Sequence, residues 1–232
     1  MNLIQKYDYN FNDKLNNIEK FITRQSMTRS LARYELFKKI INVKGSIIEC
    51  GVHYGGGLMN WAKLSSALEP YAIHRKIIGF DTFDGFPNLS KSDLISVNHS
   101  ELKEKGFKSH SLIYEEIKDS IQEYDDNRFL NQFQKVELVK GDANITMPQY
   151  VEDNQHLVIS LLFLDFDIYE PTKTALACFL KRMPKGAIIA FDEINNEFWK
   201  GETIAMMEEF KSLNNLELKK FEFDPNIAYA VI

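Results

Sequence analysis

Two apolar runs in this chain end in carboxylates. LLFLDFDIYEPT, at 161–172, carries Asp165 and Asp167, and GAIIAFDEI, at 186–194, carries Asp192 and Glu193. If both runs are neighbouring buried strands, the four acids converge at one edge of a sheet, and four acids at one edge ask for a metal ion. A hard divalent cation held by two or three carboxylates keeps coordination sites open, which vicinal oxygens of a substrate can fill. Taken singly, acids at the ends of strands have a plainer reading as caps of the helices that follow.

A second constellation precedes the first. IIECGVHYGGGLMNW places Gly51, Gly55, Gly56 and Gly57 between a short apolar run and a helical pattern. Glycines at such a turn accept positive φ and let the backbone approach a ligand, and the helix amino terminus adds partial positive charge. The spacing departs from the dinucleotide GxGxxG pattern, with His53 where a glycine would stand and Glu49 at the strand end. A pyrophosphate would be repelled by Glu49, whereas the amino group of a methionyl moiety would be attracted. His53 reads either as a contact to a cofactor carboxylate or as a solvent-facing loop residue. Asp81, at the end of KIIGF, suits the two hydroxyls of a ribose, which an ionised acid accepts well. Asp142, in KGDANITMP, either meets an adenine amino group or caps a helix. Thr82 and Ala143, which follow these two acids directly, belong with them in the cofactor set, as does Asp165.

These residues need a scaffold, and the rest of the chain predicts one. SIIEC (46–50), KIIGF (76–80), KVELV (135–139), LVISLLFLD (157–165) and AIIAFD (187–192) read as buried strands, with helices near 57–68, 143–152, 171–182 and 201–213. That alternation is the mark of βα units and a mostly parallel sheet. LELKKFEF (216–223) and IAYAVI (227–232) read as two further strands joined tightly through Asp224, Pro225 and Asn226. Residues 11–42 read as two helices preceding the sheet. A polar insert at about 88–131 reads as a lid or binding loop, with a helix in its second half that aligns Leu112, Ile113, Ile117 and Ile121. The expected division is a helical extension over 1–44 and one catalytic domain over 45–232.

Composition narrows the function. A chain of 232 residues with 44% hydrophobic content can bury a full core. A net charge of −5 with scattered basic residues argues against nucleic acid. Cys50 and Cys178 are too few for a disulfide framework and suit a reducing cytoplasm. With no signal-peptide pattern and no membrane-spanning run, the expectation is a cytoplasmic enzyme of small molecules.

The order ECGVxxGGG, DTFDGFP, GDA, LFLDFDIYEPT and IIAFDE resembles the macrocin O-methyltransferase family over roughly residues 26–215, with LDxDxYxxT its most selective element. The resemblance implies a Rossmann-like class I methyltransferase: a seven-stranded, mostly parallel sheet closed by a C-terminal antiparallel hairpin. It further implies S-adenosylmethionine as donor and Mg2+ or another divalent cation held by Asp165, Asp192 and Glu193. Asp167 is then the general base, and the acceptor a sugar or sugar-like hydroxyl. Glu193 stands where the family usually has aspartate, which suggests a shifted ion or a tolerance of calcium or manganese. A homo-oligomer formed through the N-terminal helices is a further expectation. Three alternatives stand beside this reading: a catechol-type O-methyltransferase, a nicotinamide-dependent oxidoreductase, which leaves the acid cluster unexplained, and a non-catalytic binder of the same cofactor.

Overall fold

The computed structural model describes residues 3–7, 10–94 and 99–232, so residues 95–98 of the expected insert lie outside the described residues. Two short helices, α1 (Leu3–Lys6) and α2 (Phe11–Leu15), and a 3-10 turn at Ile18–Lys20 precede the long α3 (Arg24–Ile40). The sheet and its crossovers follow in order: β1 (Ser46–Cys50), α4 (Gly56–Leu68), β2 (Ile77–Asp81), α5 (Ile113–Asn127) and β3 (Val136–Lys140). Then come α6 (Ala143–Asp153), β4 (Ile159–Leu164), α7 (Tyr169–Phe179), β5 (Ile188–Phe191), α8 (Lys200–Phe210), β6 (Lys219–Lys220) and β7 (Ala228–Val231).

The seven strands are ordered β3-β2-β1-β4-β5-β7-β6; β1 to β5 are parallel and β7 runs antiparallel to both β5 and β6. The central strands β1, β4 and β5 are buried at every position, as expected of a sheet covered on both faces. Alternation along each strand divides the core. Ile47, Ile77, Leu161, Phe163 and Ile188 pack with Leu36, Phe37 and Ile40 of α3 and Leu58 and Trp61 of α4. Ile48, Ile78, Phe80, Leu162, Leu164 and Phe191 pack on the opposite face with residues of α6, α7 and α8. α3 therefore shares the core of the sheet.

Two expected elements differ. The first helix of the 11–42 pair breaks after Leu15, because Asn16 and Asn17 are poor helix formers and Phe11, Leu15 and Ile18 remain exposed, with no core to hold a longer helix. The 216–223 strand pairs only at Lys219 and Lys220. Beyond them Phe221 turns inward to stack on Tyr229 at 5.1 Å, and Asp224 Oδ1 accepts from the amides of Asn226 and Ile227. The connection is a loop over residues 221–227 rather than a tight turn.

Register is what positions the site. Cys50 lies beside both Phe80 and Leu164, and Leu164 lies beside Phe191. The ladder continues one residue further: the Asp165 amide donates to Cys50 O at 2.8 Å and the Asp192 amide to Leu164 O at 3.0 Å. Gly51, Asp165 and Asp192 thus leave the sheet at one level, the carboxyl edge where open α/β sheets bind ligands.

Candidate active site

A cavity of about 300 Å³ opens at this edge. Gly51, His53, Asp81, Thr82, Asp142, Ala143, Asp165, Asp167, Asp192 and Glu193 line it, and all ten were singled out in the sequence. Glu49, Gly55 and Gly56 do not line it.

Glu49 stands in β1 two residues before Gly51, below the level of the cavity, and is buried. Residue 49 shares its face with Ile47, so its side chain turns beneath the glycine loop toward α3 and α4. There its carboxylate lies 3.6 Å from the Arg33 guanidinium, which also sits over the rings of Phe163 and Trp61 at 5.1 and 5.8 Å. Burial pushes the Glu49 carboxyl up to about 7 against the pull of Arg33. The folded chain therefore holds this proton more tightly than the unfolded chain, whose glutamate titrates near ~4.3. The stability linked to it is complete below that value and is lost as pH rises to about 7. Thermal melts should show a higher melting temperature at pH 5.5 than at pH 8, and Glu49→Gln should flatten that slope. An unchanged slope in the variant would assign the dependence to other groups.

Asp81 serves the loop before it serves any ligand. Its Oδ2 accepts from the amides of Val52 and His53, both at 2.8 Å, and its Oδ1 accepts from Phe83 at 2.6 Å. A carboxylate has about four acceptor positions, so room is left for a ribose hydroxyl. Asp142 caps α6 through the Asn144 amide at 2.9 Å and also lines the cavity. Gly55 forms the left-handed N-cap of α4, with φ +80°, and Gly56 opens that helix.

Asp167 adopts φ +64°, a left-handed conformation that costs a non-glycine residue roughly 1–2 kcal/mol. The lid contributes to holding it there. Buried Asp93 accepts the amide of Tyr169, two residues on, at 2.7 Å, while its other oxygen is held by Ser90. Burial and the neighbouring charges of Glu193 and Asp192 raise the Asp167 carboxyl well above the ordinary range. Asp165 is raised by burial and by Asp192 and Asp167, and Glu193 to about 7 by burial and Asp192.

Three residues the sequence reading passed over complete the cluster. Glu202 of α8 is fully buried and accepts the Glu193 amide at 2.9 Å, fixing the turn after β5. Arg29 of α3 reaches Asp192 at 2.8 Å and Asp165 at 3.3 Å. Arg33 holds Glu49. The spacing of Arg29 and Arg33, one turn apart on a helix whose Ala32, Leu36 and Phe37 are core, was the available signal.

The implied divalent cation finds hard oxygen donors here but no shared vertex. Arg29 spans Asp165 and Asp192, and the Glu193 carboxylate is bonded by the Asn196 amide group. Among the described residues no group of three His, Cys, Asp or Glu side chains is arranged to hold a metal ion. As placed, the residues do not fit the ion.

The insert forms the cavity's outer wall. Phe86 and Lys105 pair through their backbones, and Phe86, Phe107 and Trp199 make a ring cluster with centroids 5.4–6.0 Å apart. His99 packs on Trp199 at 4.8 Å, whereas His110 pairs with Glu116 at 3.0 Å on the surface.

Comparison with known proteins decides the family. The family model for macrocin O-methyltransferase (TylF) matches residues 22–229. The chain belongs to the macrocin O-methyltransferase family. Among solved structures, the calicheamicin methyltransferase CalS11 is 33% identical, with TM-score 0.93 over 99% of this chain and 88% of that one. The apo form of CalS11, a TDP-rhamnose 3′-O-methyltransferase, is 30% identical, with TM-score 0.84 over 99% and 89%. The O-methyltransferase NovP shares the fold at 19% identity and TM-score 0.65, over 88% of this chain and 78% of that one. No curated protein matches the chain. This macrocin-type protein is an S-adenosylmethionine-dependent O-methyltransferase, and its sheet and terminal antiparallel strands match the class I methyltransferase neighbours. No helix among the described residues is long and apolar enough to cross a membrane.

Proposed function

We propose that this methyltransferase acts on a hydroxyl of a nucleotide-activated deoxyhexose. The observation that carries the reading is the match to CalS11 across 99% of this chain, since that relative is a TDP-rhamnose 3′-O-methyltransferase. The cavity supports it. An acid of raised basicity, Asp167, lines the same cavity as Phe86 and Phe107, and such aromatic faces suit the C–H surfaces of a hexose.

Bound S-adenosylmethionine supplies an electrophilic methyl group at a sulfonium centre. Of the residues that line the cavity, Gly51 and His53 would border the methionyl end, Asp81 would accept hydrogen bonds from the ribose hydroxyls, and Asp142 and Ala143 would flank the base. The carboxylate of Asp167 accepts the proton of the acceptor hydroxyl as that oxygen takes the methyl group in line. The lid aromatics and Ile168 exclude water from the attacking face.

Calorimetric titration with S-adenosylhomocysteine tests the cofactor pocket independently of the acceptor. One saturable site per chain is expected, and no binding by the folded protein would overturn the cofactor assignment. With donor present, TDP-rhamnose should release S-adenosylhomocysteine while catechol does not. The opposite preference would favour the catechol-type alternative.

A further inference from the structure

The two carboxylates that the sequence marks out for a metal ion are already spanned by a cation belonging to the chain. Arg29 places Nη1 2.8 Å from Asp192 Oδ1 and Nη2 3.3 Å from Asp165 Oδ2. The Asp192 side chain is only 6% exposed and that of Arg29 30%. Nor is Arg29 carried by a loose tail. It lies in the second turn of α3, whose Ala32, Leu36, Phe37 and Ile40 are fully buried against the sheet.

The chemistry of the group explains the arrangement. A guanidinium is planar, permanently charged and forked, so one side chain can face two carboxylates that leave adjacent strands at the same level. A divalent ion would draw oxygens of the same two carboxylates toward a common point at about 2.0–2.6 Å. The two cations compete, because their charges repel and both draw on the same two carboxylates. The third acid is no rival, since Glu193 is engaged by Asn196.

We propose that the Asp165–Asp192 pair is a resident guanidinium site filled by Arg29, and that a divalent cation enters it only by displacing this side chain. Arg29 is then a positioning residue: it holds both acids in place, and with them the backbone leading to Asp167. It also makes the pair sensitive to the seating of α3. The inference rests on the ion-pair geometry and is independent of which hydroxyl is methylated.

The test is Mn2+ titration of the full chain, following free Mn2+ by electron paramagnetic resonance, with the unaltered protein, Arg29→Gln and Arg29→Gln/Asp192→Asn. Arg29→Gln should bind one Mn2+ at least tenfold more tightly than the unaltered protein, and the double variant should lose that gain. Equal or weaker binding in Arg29→Gln overturns the proposal, as does a gain that survives loss of Asp192. S-adenosylhomocysteine titration and a thermal melt confirm that each variant is folded. Should Arg29→Gln not fold, Arg29→Lys carries the test, because an ammonium group faces one carboxylate only. At least threefold tighter Mn2+ binding is then expected, and unchanged affinity overturns the inference.

Discussion

Replacing Asp167 by asparagine lowers kcat by about 10²–10⁴-fold, the usual contribution of a positioned general base, and leaves affinity for S-adenosylhomocysteine within about threefold. The asparagine side chain keeps the size of the aspartate and tolerates the left-handed conformation at φ +64° better than most residues, so the backbone turn should survive. What it loses is basicity. In the parent enzyme the base must be ionised, and burial with the charges of Glu193 and Asp192 has raised its titration. Activity should therefore rise with pH along a limb lying above the ordinary carboxylate range of ~3.9. That limb belongs to the coupled acids as a group, and the residual activity of Asp167→Asn should rise less steeply across it. Steady-state rates at several pH values, with calorimetric affinity for S-adenosylhomocysteine, check both statements. A variant with full turnover would remove Asp167 from the role of base. One that lost turnover and cofactor affinity together would show a structural role through the Asp165–Ile168 turn.

The parts of the site most legible in the sequence were those written in strand ends. Asp81, Asp165 and Asp192 each follow an apolar run directly, Asp142 follows one after Lys140 and Gly141, and in a parallel sheet the register brings such residues to one edge. Glu49 shares the strand face of Gly51 and, by register, of Asp81, Asp165 and Asp192, but it stands two residues deeper in the sheet, where it enters the buried pair with Arg33. Its depth below the edge, rather than its residue type or its strand face, separates it from the acids that line the cavity. Arg29 was harder to see because its partners lie 136 and 163 positions further along the chain and no local pattern records such a distance. The terminal hairpin was recognisable, but the length of its first strand was not, since inward packing of Phe221 against Tyr229 overrides the alternation of LELKKFEF. The role of Asp93 was hidden in an insert with little periodicity. It became visible only when the fold brought the amino terminus of α7 against the lid.

Gly51→Ala is expected to reduce affinity for S-adenosylhomocysteine by more than about a hundredfold and to lower the melting temperature by several degrees. Gly51 has φ +94°, a backbone region costly for any side chain. A Cβ there would stand 2.0 Å from the carbonyl oxygen and 2.7 Å from the carbonyl carbon of Asp165. Those are backbone atoms, and they cannot swing aside: the Asp165 amide is bonded to Cys50 O, so relief requires parting the ends of β1 and β4. The parting would move Asp165 away from Arg29 and disturb the loop amides that Asp81 gathers at Val52 and His53. Gly56→Ala is the matched control. A Cβ at Gly56 meets nothing within 4 Å, the residue opens α4, and alanine there should be neutral or slightly stabilising, by up to about 1 kcal/mol. Melting curves and cofactor titrations on the two variants separate a steric requirement at one position from a general need for glycine in the loop. Equal losses in both would show that loop flexibility, rather than the approach of Gly51 to Asp165, is what the cofactor pocket needs.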